Sequence, residues 1–182
     1  TNSWNGPLVI SVTVFGEPLG TNAVRRSGAK PGDWLFVTGQ LGASLPTGRH
    51  LSFNPRLREV ERIVQTVDIH AMIDVSDGLA ADLYHILTAS GVGATVDANR
   101  IPLTEGARNC VDGRTPLLHG LGDGEDFELL FAVSAEDGVK LESGWNDSTP
   151  VTRIGQIDDV PGCRLRLNDG GIEPLPAIGW TH

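Results

Sequence analysis

The first residues that could do chemistry lie at positions 74–79, which read Asp-Val-Ser-Asp-Gly-Leu. They stand between a predicted strand and a predicted helix, where ligands of α/β proteins often bind. The helix amino terminus offers N–H groups to phosphate oxygens, and Asp74 and Asp77 could hold the Mg²⁺ that bridges carboxylate and phosphate. The alternative is that Ser76 or Asp77 only caps the helix, which is worth about 1 kcal/mol. Asp74 favours the ligand site, because a helix cap needs only one polar side chain and this corner has three.

A second acidic group, Gly-Asp-Gly-Glu-Asp at residues 122–126, precedes an apolar strand. Its carboxylates repel one another unless a cation or a hydrogen-bond donor lies among them, and its glycines let the backbone approach a ligand. Taken alone, the pattern favours a solvated acidic loop. Glu128 alternates with Phe127 and Leu129, and we therefore expect an outward-facing charge there.

Several single residues have two interpretations. Arg25 and Arg26 either serve surface solubility or contact phosphate, for which a guanidinium group is well suited. Trp180 is either an exposed stacking platform or a cover for the core. The histidines lack metal-ligand spacing, and we expect all five to be structural or solvated. The chain has no nucleophile elbow, P-loop or dinucleotide-binding fingerprint.

The elements that must position these residues are strands alternating with helices, a pattern typical of a two-layer α/β domain. Apolar alternation and short apolar runs predict strands at residues 8–15, 34–38, 71–75, 92–96, 127–133, 151–157 and 163–167. Apolar residues at helical spacing predict helices at 56–68 and 79–91, with the charges of residues 59–63 facing outward, and a short helix opens at 102–107. We expect a loop from residue 43 to Pro55.

Composition and charge exclude several classes of protein. Hydrophobic residues make up 40% of the 182 and charged residues 20%, which excludes a disordered chain. No apolar run approaches the roughly 18 residues of a membrane span. The net charge of −9 has the wrong sign for binding nucleic acid or an anionic membrane. Cys110 and Cys163 are too few for a disulfide framework, and a cytoplasmic protein fits best.

Five segments, in order and spacing, resemble thiamine-monophosphate kinase, a family of the aminoimidazole-ribonucleotide-synthetase-like superfamily of ATP users. They are residues 26–33, 37–42, 73–79, 124–129 and 179–182. The resemblance covers nearly the whole chain but only the later part of such an enzyme. It implies an α/β carboxy-terminal domain at residues 28–182. Residues 1–27 would be a leftover strand and linker of an amino-terminal ATP-binding domain, so we expect the sequence to begin inside a longer protein.

The resemblance also implies roles at the first acidic corner and beside it. Asp74 and Asp77 would bind Mg²⁺, and Ser76 and Arg26 would contact ATP. The implied reaction is in-line transfer of the γ-phosphoryl group of MgATP to thiamine monophosphate, which gives thiamine diphosphate without a covalent catalytic residue.

Two other residues would contact the second substrate. Glu125 and Trp180 are implied to bind thiamine monophosphate, whose cationic thiazolium suits an aromatic face and a nearby carboxylate. The implied assembly is a homodimer.

Two other hypotheses remain open. One is a different ATP-using member of the superfamily, such as a selenophosphate or aminoimidazole-ribonucleotide synthetase or a hydrogenase-maturation dehydratase. The presence of both segments, 74–79 and 124–129, in one chain argues against these other members. The other is a non-catalytic domain that folds and dimerises. We expect little or no activity from the chain alone, because the resemblance puts the family's remaining metal carboxylates before Thr1.

Overall fold

Seven strands form one sheet in the computed structural model, which describes residues 5–18 and 23–180. In chain order they are β1 (Trp34–Thr38), β2 (Ile69–Val75), β3 (Gly93–Asp97), β4 (Glu128–Val133), β5 (Val151–Asp158), β6 (Gly162–Arg166) and β7 (Ile172–Pro174). The order across the sheet is β2-β4-β1-β5-β3-β6-β7, and all neighbours are antiparallel except β3 and β6. Strand predictions from residue 34 onward are confirmed to within two residues at each end, and β7 is an addition.

Helices connect most of these strands. They are α1 (Ser44–Thr47), α2 (Leu57–Thr66), α3 (Leu79–Ser90), α4 (Glu105–Asn109), α5 (Pro116–Gly122) and α6 (Ala135–Gly144). Single 3-10 turns lie at Arg49–Leu51 and Ala98–Arg100. The predictions of α2 and α3 are confirmed. The expected loop from residue 43 to Pro55 is wrong, because it contains α1 and a 3-10 turn.

Alternate residues of the central strands pack on opposite faces of the sheet. Leu35 and Val37 belong to the larger core cluster with α3, whereas Phe36 packs with α2 and α6 in a second cluster. The rings of Phe36 and Phe131 stack there, 5.7 Å apart. The predicted α/β class is confirmed, and a smaller helical layer covers part of the second face.

The amino-terminal segment differs from its prediction. Residues 8–15 form no strand, and Leu8, Val12 and Phe15 are each more than four-fifths exposed. A strand needs a neighbour for its backbone hydrogen bonds, and none of the strands of residues 23–180 pairs with this segment. The strand predicted at residues 8–15 is therefore not formed in this structure, while the assignment of residues 1–27 to the end of an amino-terminal domain stays a prediction.

Among residues 5–18 and 23–180, no helix has the length and apolar character that crossing a bilayer requires.

Candidate functional site

The corner between β2 and α3 is held by a carboxylate from inside the helix. Asp82 accepts hydrogen bonds from the backbone N–H groups of Ser76 and Asp77, both at 3.0 Å. Helix α3 has Gly78 as its N-cap, without a side-chain cap. The interpretation that Ser76 or Asp77 caps the helix is therefore wrong, because Asp82 satisfies these donors by reaching back.

This corner opens into a cleft of about 540 Å³. Asp74 is exposed in it, and Ser76 and Asp77 are half-buried. Arg25 and Arg26 also line this cleft, and their segment runs along the edge of β2. The backbone N–H of Met72 donates to the Arg25 carbonyl at 2.9 Å and keeps that segment in place.

Two residues of this cleft were missed in the sequence. Ligand atoms of Asp77, Asp82 and His85 lie within 4.8 Å of one another. Burial, together with the charges of Asp77 and Asp74, raises the pKa of Asp82 to about 6, against the lowering effect of the backbone hydrogen bonds from Asp77 and Ser76. The signal was present, because Asp82 and His85 are three apart and share one face of α3. His85 is exposed, as the solvated interpretation of the histidines expects, and it lies close enough to Asp77 and Asp82 to share a cation with them.

The second acidic loop docks on the same corner through its backbone. The N–H of Glu125 donates to the carbonyl of Ser76, and the N–H of Phe127 donates to that of Val75, both at 2.8 Å. A Cβ on Gly124 would lie 2.6 Å from the Ser76 carbonyl oxygen, so this approach needs glycine. Glu125 has a φ of 64°, a backbone conformation that residues other than glycine rarely adopt.

The end of the chain reaches the corner as well. The N–H of Trp180 donates to the carbonyl of Asp77 at 2.8 Å. The Trp180 side chain is 61% exposed, so it is not a cover for the core. The six residues predicted from the sequence therefore lie around one corner: Asp74, Ser76, Asp77 and Arg26 line the cleft, and Glu125 and Trp180 are tied to its backbone.

The next carboxylate, Asp126, turns away from solvent. Its side chain is fully buried, accepts the N–H of Gly42 at 2.8 Å and pairs with Arg49. Burial raises the pKa of Asp126 to about 7, against the opposing effect of these partners. The interpretation of residues 122–126 as a solvated loop is wrong for Asp123 and Asp126, because donors from other parts of the chain pair with both carboxylates.

Glu128 is buried in the same way. Both of its oxygens accept from Arg56 at 2.6 Å, and the Thr38 hydroxyl donates to one of them at 2.7 Å. The expected outward-facing charge is therefore wrong. Arg56 also lies 3.7 Å from Glu59, which is itself buried although it was expected to face outward.

The arrangement allows a defined chemistry. Exposed and half-buried carboxylates face a cleft that also presents arginine and serine side chains. Carboxylates can hold a divalent cation, while an arginine attracts phosphate oxygens. The cleft is therefore suited to a metal-bound polyphosphate.

Comparisons with known proteins identify relatives of this chain. The family described as "AIR synthase related protein, C-terminal domain" matches residues 34–168. The chain is 42% identical over 187 residues to a thiamine-monophosphate kinase of Rhodopirellula baltica, covering all of this chain and 57% of the relative. It thus spans little more than half the length of that curated relative.

Solved structures share the fold. A structure named "AaThiL complexed with AMPPCP and TMP" matches with a TM-score of 0.67 and 29% identity, over 87% of this chain and 54% of that one. The hydrogenase maturation protein HypE matches with a TM-score of 0.69 and 24% identity, over 92% of this chain and 59% of its own. At that identity, the second match supports the fold alone.

Proposed function

We infer the function from one premise: this chain belongs to the AIR synthase related family and corresponds to the carboxy-terminal part of the thiamine-monophosphate kinases. We propose that it is part of an enzyme that transfers the γ-phosphoryl group of ATP to thiamine monophosphate and forms thiamine diphosphate. The similar structure complexed with AMPPCP, an ATP analogue, and TMP supports both substrates. The longer protein would carry the activity, and the chain alone would have little.

Ser76 and Arg26 would contact ATP. Both residues line the open cleft, whose volume of about 540 Å³ is in the range of small-ligand sites. The guanidinium of Arg26 would form an ion pair with phosphate oxygens, and the hydroxyl of Ser76 would donate a hydrogen bond to one of them. Transfer between two phosphates needs positioning and charge neutralisation rather than a protein nucleophile.

Asp74 and Asp77 would hold Mg²⁺. Magnesium prefers oxygen ligands and is usually bound by one or two carboxylates together with substrate phosphates. The corner fits this preference, because Asp82 fixes the backbone while Asp74 stays exposed at the cleft. When bound, the ion would neutralise charge between these carboxylates and the phosphates.

Glu125 and Trp180 would bind thiamine monophosphate. The backbone of each is tied to the corner that carries the metal ligands, at Ser76 and Asp77 respectively. An exposed indole can stack on a cationic thiazolium, and a carboxylate nearby adds attraction. With these contacts, the phosphate acceptor would lie next to the nucleotide cleft.

The proposal also covers the domain boundary, the assembly and the location of the enzyme. The amino-terminal boundary lies near residues 27 and 28, the enzyme acts as a homodimer, and the reaction takes place in the cytoplasm. The cytoplasmic location is supported by the relatives' activity and by Cys110 and Cys163, which are both free thiols.

The observation that carries the proposal is the convergence of six predicted residues on one corner. The test uses the longer protein, with formation of thiamine diphosphate from ATP and thiamine monophosphate as the readout. We expect Asp77→Asn to lower the rate at least about tenfold, because it removes a metal ligand. Asp159→Asn, an exposed carboxylate on the turn before β6, is the matched control and should leave the rate unchanged.

The contradicting outcomes are distinct. Absence of thiamine diphosphate with the unmodified protein would refute the activity. An unchanged rate with Asp77→Asn would refute the metal role while leaving the activity in place.

A further inference from the structure

Cys110, Asp112 and His119 lie together outside the nucleotide cleft, between the end of α4 and the middle of α5. One ligand atom from each lies within 4.8 Å of the other two. The side chain of His119 is fully buried, Cys110 is half-buried and Asp112 is exposed, so the group opens to solvent on one side. Nothing in the proposed kinase reaction uses these three residues.

The separation of two of these atoms suits a tetrahedral ion. Asp112 Oδ1 lies 3.2 Å from His119 Nε2. Two tetrahedral ligands that are each about 2.0 Å from Zn²⁺ lie about 3.3 Å apart. Thiolate, imidazole and carboxylate together form a donor set that Zn²⁺ accepts, and three protein ligands leave one position for water.

The hydrogen bond at the other nitrogen orients the ring. His119 Nδ1 lies 2.8 Å from Asp123 Oδ2, the carboxylate contact that commonly fixes a metal-binding histidine. With the proton on Nδ1, the lone pair of Nε2 faces an oxygen of Asp112. Two acceptors then face each other at 3.2 Å unless a cation lies between them or the ring carries a second proton.

The charges around the group also fit a divalent cation. Arg114 pairs with the second oxygen of Asp112 at 2.9 Å and with Asp123 at 2.7 Å. Asp112 and Asp123 carry two negative charges, and Arg114 neutralises one of them. A bound divalent ion would neutralise the other, together with the charge that Cys110 gains when it binds the ion as a thiolate.

We propose that Cys110, Asp112 and His119 bind a Zn²⁺ ion that links the turn after α4 to α5. The ion lies outside the cleft and takes no part in phosphoryl transfer. Its effect is structural, because a metal that binds only the folded chain stabilises it.

The test uses Co²⁺ as a probe of the protein purified without added metal. A Cys110 thiolate bound to Co²⁺ gives a thiolate-to-metal charge-transfer band in the near ultraviolet, which we expect at one Co²⁺ per chain and which Zn²⁺ should displace. Cys110→Ser should abolish the band. Cys163→Ser should keep it, because burial raises the pKa of Cys163 to about 12 and that thiol lies in the core.

Thermal unfolding and a second variant separate metal binding from folding. Zn²⁺ should raise the thermal unfolding midpoint of the unmodified protein and of Cys163→Ser, but not that of Cys110→Ser. Asp112→Asn, an exposed position, should weaken Co²⁺ binding at least about tenfold without unfolding the chain. Absence of the band in the unmodified protein would overturn the proposal and favour a doubly protonated His119 between two carboxylates. A band that survives Cys110→Ser, or unchanged affinity in Asp112→Asn, would overturn it as well.

Discussion

Two acidic regions lie side by side in this chain, and they use their carboxylates in opposite ways. At the cleft, Asp74 is exposed and Asp77 is half-buried. In the neighbouring network, the side chains of Asp126 and Glu128 are buried and paired with arginines. A buried charge is costly unless it is paired, so the network acts as a clamp that holds the loop carrying Glu125. Acidity alone therefore does not identify a ligand site, and the partners of each carboxylate decide its role.

The largest effect should come from breaking the clamp at Glu128. Glu128→Ala leaves the half-buried guanidinium of Arg56 without its two short hydrogen bonds. We expect the free energy of unfolding to fall by about 3 kcal/mol, as for other buried pairs that lose one partner. Urea denaturation measures this change.

The matched control removes both charges. Glu128→Leu combined with Arg56→Met should recover part of the loss, because no unpaired charge remains. A single Glu128→Ala change of less than about 0.5 kcal/mol would show that the two regions do not differ in this respect.

The second prediction concerns pH. Burial raises the pKa of Asp126 to about 7, whereas an aspartate in the unfolded chain has a pKa of about 3.9. The folded chain therefore binds the proton of this carboxyl more tightly than the unfolded chain does. The stability that the carboxyl contributes is complete below about pH 4 and is lost as the pH rises toward about 7. Asp126→Asn removes the titration, and its free energy of unfolding should lack this decline.

Denaturation curves recorded across that pH range measure this decline in the free energy of unfolding. Asp169→Asn, in the exposed turn before β7, should retain the decline of the unmodified protein. The same slope in Asp126→Asn would assign the pH dependence to another group.

The smallest effect should come from the open region. Asp74→Asn changes an exposed side chain, and we expect the free energy of unfolding to change by no more than about 0.5 kcal/mol. Chemical denaturation of this variant beside Glu128→Ala gives the direct comparison. A loss as large as that of Glu128→Ala would make Asp74 part of the structural framework instead of the ligand site.

The site was predictable where its signals are local. Residues 71–79 combine an apolar strand, polar residues at its end and apolar residues at helical spacing, and all three patterns lie within a short window. The segments around Glu125 and Trp180 were connected to this corner only by family resemblance. The backbone hydrogen bonds that dock them carry no sequence signal.

The clamp was not predictable, because its partners are far apart in sequence. Arg49 and Asp126 are separated by 77 residues, and Arg56 and Glu128 by 72. Helix α5 was missed for a related reason. Its glycines are typical of a turn, yet a Cβ on Gly120 would lie 2.2 Å from Leu103, so tertiary packing selects glycine inside this helix.

The tethering of Glu125 and Trp180 through main-chain atoms has an evolutionary consequence. Every residue type except proline offers the same backbone N–H, so the identities of these two side chains can drift while the attachment points persist. Descendants of such a protein could acquire a new acceptor molecule by a few replacements at the tethered positions and inherit an intact phosphate-handling apparatus.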